Sequence, residues 1–97
     1  MIDCDERTMD VAYVQDLLDH RKWSWSRLAR EMGMSKSTVG RVADFKTLPG
    51  RKFIFALWDV FPDHRDDLFI PLWQAAEQWP AAQALLERVM AGEREVA

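Results

Sequence analysis

Cysteine occurs once in this chain, at position 4, so no disulfide can close within it. A reducing, cytoplasmic setting is the expected one. Histidine occurs twice, at His20 and His64, far apart and without cysteine or carboxylate at ligand spacing, so no metal site is expected. Neither a charged-then-apolar leader nor an apolar run near the length of a membrane span is present, and neither secretion nor membrane spanning is expected. Alternating β-branched runs and Asn-Gly hairpins are missing too, which argues against strands. The serines sit where helix caps are needed rather than beside a base, and Cys4 has no evident base either. No catalytic constellation results, so neither an enzyme nor a cofactor is expected.

What the chain does have is apolar and aromatic substance. Of its 97 residues 48% are hydrophobic, including five tryptophans and five phenylalanines. That suffices for one small domain with a core needing no staple. The net charge of -3 conceals an uneven distribution. Residues 21–52 carry Arg21, Lys22, Arg27, Arg30, Lys36, Arg41, Lys46, Arg51 and Lys52 against only Glu31 and Asp44. Both flanks are acidic. A basic middle between acidic ends suits a surface that meets phosphates while the remainder stays soluble; a solvated charged face is the plainer alternative.

Everything after the first residues reads helical. A first helix is predicted from about Met9 to Lys22, with Thr8 as N-cap and Val11, Val14, Leu17 and Leu18 as its apolar stripe. A second follows Ser24, faces Leu28, Ala29 and Met32 inward and stops at Gly33, where glycine tolerates positive φ. Ser35 caps a third helix that runs to about Asp44 with Val39 and Val42 inward. Residues 45–49 form a loop. Gly50 caps a fourth helix carrying Phe53, Ile54, Leu57, Val60 and Phe61, ended by Pro62. Asp63 is expected to cap a fifth helix through Leu68, Phe69, Leu72 and Trp73, with Asp66 and Asp67 offsetting its dipole. Pro71 either kinks that helix or begins a new segment. Pro80 opens a last helix through Leu85, Leu86, Val89 and Met90, and residues 92–97 read as a frayed tail.

The second and third helices are separated by a turn so short that they must cross steeply, leaving one face of the third free. That face holds Lys36, Ser37, Gly40, Arg41 and Asp44. A B-form major groove admits one α-helix and is read by hydrogen-bonding side chains. Arg41 is the first candidate for base contact, since its planar fork matches guanine O6 and N7; Lys36 and Ser37 follow. Ser35 and Thr38, at the helix N-terminus, suit phosphate contact. So do Lys46 and Thr47 after the helix and Arg51 and Lys52 opening the next. Gly40 costs about 1 kcal/mol relative to alanine inside a helix. It is either a tolerated weak position or a place where a side chain would strike DNA.

From Leu28 to Pro49 the residues Leu28-Ala29, Gly33-Met34-Ser35, Ser37-Thr38-Val39-Gly40-Arg41-Val42, Ala43-Asp44-Phe45 and Pro49 fall without a gap on the pattern of Cro/Xre-type repressors. The stretch resembles their helix-turn-helix, and the resemblance extends over about residues 9–61. It implies an all-α, five- or six-helix lambda-repressor-like fold with a DNA-binding domain at 1–61. It also implies a third helix in the major groove, Lys36, Ser37 and Arg41 at base-contacting positions, and binding to double-stranded DNA as a homodimer on a palindrome. The implied role is a bacterial or phage transcriptional repressor acting at the nucleoid. Trp25 falls where members often place a phosphate-contacting polar residue; its indole N–H can donate, or the ring can pack on a neighbouring helix. Ala43 and Phe45 replace the family's acidic residue and turning glycine. The loop is therefore expected to take another path, with Phe45 in the core.

Residues 62–78 loosely resemble a tail of some bacterial members. Trp73, Trp79, Leu85, Leu86, Val89 and Met90 exceed what the first domain needs. The 62–97 extension is expected either to pack back on helices one and four or to mediate dimerisation. The rival to a DNA-reading head is a protein-interaction module, antitoxin-like or adaptor-like, on the same fold.

Overall fold

The computed structural model describes residues 6–97; Cys4 lies outside them. The chain is mostly helical, with a small two-stranded sheet. Strand β1 (Arg7–Met9) is followed by helices α1 (Val11–Arg21), α2 (Trp25–Met32), α3 (Lys36–Ala43) and α4 (Arg51–Val60), a 3-10 turn at Pro62–His64, strand β2 (Phe69–Pro71), and helices α5 (Leu72–Gln78) and α6 (Pro80–Met90).

The helix starts follow their caps. Ser24 Oγ accepts from Arg27 N and Ser35 Oγ from Thr38 N, both at 3.1 Å. Gly33 closes α2 at φ 69°. Pro80 occupies the first position of α6, where a missing N–H costs nothing. At α1 the cap is Asp10, whose Oδ1 accepts from Tyr13 N at 3.2 Å. Thr8, predicted for that role, is instead fully buried within β1.

The sheet is what the sequence did not announce. β1 pairs antiparallel with β2 in the register Arg7↔Pro71, Thr8↔Ile70, Met9↔Phe69. Three-residue strands are too short for alternation to be visible. They also replace the front half of the predicted fifth helix: residues 65–67 are a turn, so Asp66 and Asp67 do not sit at a helix start. Pro71 begins a new segment, as one alternative had it, by standing as the N-cap of α5.

Two apolar clusters hold the fold. The first joins Met9, Val14, Leu18, Leu28, Ala29, Met32, Val39, Val42, Phe53, Leu57 and Phe61 to Leu68 and Phe69. The second joins Phe45 and Leu48 to Leu72, Ala75, Ala82 and Leu85, with Val11 and Trp79 against them. Residues 62–97 are thus bonded and packed both to β1 and to the 45–50 loop. Phe45 is buried, as expected. It turns the chain at φ 58°, so the positive backbone angle survives without glycine. A left-handed conformation costs a residue with Cβ roughly 1–2 kcal/mol; the ring offsets this by stacking on Trp79, centroids 5.2 Å apart.

The tail is not frayed at its end. Leu48 N donates to Glu95 O, Ala97 N to Leu48 O and Gly50 N to Ala97 O, at 2.9, 2.9 and 3.0 Å. A Cβ on Gly50 would collide with Ala97 O and lie 2.7 Å from Val96 Cγ1. Glycine at this N-cap is thus required by the tail that crosses it.

Candidate nucleic-acid interface

Successive residues of an α-helix are turned by about 100°. On α3 this places Val39 and Val42 together, buried at 1% and 0% exposure, and leaves Lys36, Ser37, Arg41 and Asp44 exposed on the other side around a half-buried Gly40. Met32 of α2 and Phe53 of α4 belong to the same core as the two valines, which anchors the inner face. The outer face meets no other part of the described chain. Lys36 and Arg41 have neither ion pair nor hydrogen bond there.

Gly40 lies at the centre of that face. Its φ is negative, and a Cβ built on it meets no atom within 4 Å. Neither backbone conformation nor internal packing calls for glycine, although glycine weakens the helix.

The helix ends carry a second anomaly. Neither α3 nor α4 has an acidic residue in its first turn; α3 opens with Lys36 and α4 with Arg51 and Lys52. Cations at the positive end of a helix dipole are unfavourable. All three are exposed and unpaired among the described residues. An external anion would remove the conflict. Ser35 and Thr38 share a hydroxyl–hydroxyl hydrogen bond of 2.8 Å in addition to the cap. One of their two hydroxyl hydrogens fills that bond, and the other remains to donate outward.

The other phosphate candidates divide. Lys46 is exposed, and its carbonyl accepts from Arg88 Nη2 at 2.7 Å, so α6 pins the loop that presents it. Thr47 is 6% exposed and its Oγ1 has no partner. It is buried and does not present a hydroxyl to phosphate. Trp25 donates its Nε1–H to Gln15 Oε1 at 2.8 Å and packs partly buried on the first core. Its one donor is occupied, so packing is its role in this chain. Gln15 and Arg88 act here through Trp25 and the Lys46 loop. Both are isolated polar residues on helices, and nothing in the local pattern distinguished them.

Of the remaining bases, Arg27 faces Glu31 at 3.7 Å and lies 5.0 Å from the Trp23 ring, while Arg21 stacks on Phe61 at 4.5 Å. These serve the fold. Arg30 and Lys22 stay exposed.

His20 and His64, distant in sequence, line one cleft with Tyr13, Asp16, Leu17 and Arg21. Tyr13 Oη and His64 Nδ1 are 2.7 Å apart. Desolvation, and next the Asp67 carboxylate, push the Tyr13 hydroxyl above its ordinary value of 10.0. Among the described residues no group of three His, Cys, Asp or Glu side chains could hold a metal ion, and no helix is long and apolar enough to cross a membrane. No protein-family model, curated protein sequence or solved structure matches the chain.

Proposed function

We propose that the protein is a sequence-specific duplex-DNA-binding regulator of the helix-turn-helix type, acting as a repressor by occluding a promoter. α3 enters the major groove, with Arg41, Lys36 and Ser37 toward base edges. Lys46, Arg51, Lys52, Ser35 and Thr38 meet the flanking phosphates. The observation that carries this reading is Gly40: a helix-weakening residue at the centre of an exposed, uncompensated basic face, where nothing among the described residues requires it. The sequence resemblance over residues 28–49 supports the same reading.

One helix contacts too few base pairs for genome-scale specificity, so a homodimer on an inverted repeat is part of the proposal. Trp73 and Met90, exposed at 49% and 58%, are apolar surface available for it. The same exposure favours the second reading, a protein-interaction module.

Selection of random-sequence duplexes on the purified protein tests both. An enriched inverted repeat supports the dimeric reading head and gives the half-site spacing. Absence of enrichment, with retention that merely falls with salt, refutes sequence-specific recognition and leaves the interaction module.

A further inference from the structure

A cleft of about 470 Å³ shares no lining residue with the α3 face and is lined by Arg7 of β1, Ile54 and Trp58 of α4, Arg65 and Asp66 of the connecting turn, and Phe69 of β2. Its volume falls in the range of small-molecule sites, roughly 300–1,000 Å³. We infer that it binds a small aromatic carboxylate.

The walls are aromatic and aliphatic. Trp58 meets Phe69 edge-on, with centroids 6.3 Å apart and planes at 81°. The Arg65 guanidinium lies over the Trp58 ring at 4.7 Å, which holds its planar fork against the apolar wall. Arg7 and Arg65 are both exposed, and neither has a carboxylate partner among the described residues, although Asp66 lines the same cleft. Two guanidinium groups against one carboxylate leave a single positive charge. That matches a monoanion better than a phosphate ester, and the guanidinium fork fits a carboxylate with two parallel hydrogen bonds. Among the described residues the buried Trp58 indole N–H has no acceptor, which leaves one donor unused beside the site. An aromatic ring between Ile54, Trp58 and Phe69, with its carboxylate on the two arginines, satisfies both the charge and the apolar surface.

The test uses the full chain, nitrogen-15 labelled, titrated with 1-naphthoate and separately with the uncharged 1-naphthamide. The reporter is the Trp58 indole resonance, assigned by its loss in Trp58→Phe. A saturable shift with 1-naphthoate is expected, with the amide at least about tenfold weaker. Arg7→Gln and Arg65→Gln should each lower naphthoate affinity at least about tenfold while leaving the circular dichroism spectrum unchanged. No saturation below about 10 mM, equal binding of acid and amide, or wild-type affinity in both variants would overturn the inference. None of these readouts depends on DNA, so this site and the α3 reading fail separately.

Discussion

Replacing Gly40 with alanine should make the protein more stable and a poorer DNA binder at once. In the free protein the change is nearly pure helix propensity. The residue lies inside α3, its φ is negative, and the new methyl meets nothing within 4 Å. Alanine exceeds glycine by about 0.8–1.0 kcal/mol in a helix interior, and a helix this short and exposed should realise about half of it or more. For a domain of this size 1 kcal/mol moves Tm by roughly 4–8 °C, so a rise of about 2–8 °C is expected by thermal circular dichroism. In the proposed DNA complex the same methyl, flanked by Lys36, Ser37 and Arg41, would occupy space that the groove requires. Gly40→Gln enlarges the obstruction while remaining compatible with a helix. Fluorescence anisotropy with the selected duplex, at fixed salt, should show a loss that grows from alanine to glutamine and reaches at least about tenfold. If both variants bind as tightly as the parent, nothing approaches this face closely and the glycine is a tolerated weakness. A failure of alanine to stabilise would instead refute the conformational premise.

Arg41→Ala should cost about 1–3 kcal/mol on the specific duplex and relax preference at one base pair, whereas Lys46→Ala should weaken all duplexes alike and lower the salt slope by about 1; anisotropy across a salt series with specific and scrambled duplexes separates the two. Trp25→Phe removes the bond to Gln15 and part of the ring packed on the first core, so a stability loss of about 1–3 kcal/mol in urea with unchanged DNA affinity is expected; a drop in affinity would restore Trp25 to the phosphate-contacting set. Phe45→Ala loses the buried ring but keeps the left-handed strain, while Phe45→Gly loses both; the glycine variant should be the more stable by about 1 kcal/mol. Equal urea midpoints for those two variants would mean that the positive φ at Phe45 stores no strain. Gly50→Ala should dislodge the tail through its collision with Ala97, seen as faster amide exchange at Leu48, Gly50 and Ala97; unchanged protection would place the tail elsewhere in solution.

The elements that could be read in advance were those decided within a turn or two of chain. Ser24 and Ser35 cap backbone N–H groups three residues away, and Gly33 and Pro80 act through their own backbone conformation, so these starts and stops follow from spacing alone. The α3 face was legible for the same reason: the helical period separates Val39 and Val42 from Lys36, Ser37 and Arg41 wherever the helix is placed. Tertiary structure decided what depends on partners distant in sequence. Thr8 reads as a cap until β2 returns to pair with β1, and residues 69–70 read as helix until that pairing draws them out. Trp25 reads either as a donor to phosphate or as a packing ring until Gln15 takes its N–H, and Thr47 reads as exposed until the folded loop buries it. The sequence by itself determined the first four helices, the last one and the basic face of α3, because caps and periodicity are local. Which polar groups still face outward was fixed only when strands and tail from opposite ends of the chain met, since a hydrogen bond or a buried contact removes a group from the surface without leaving any mark in its own neighbourhood of sequence.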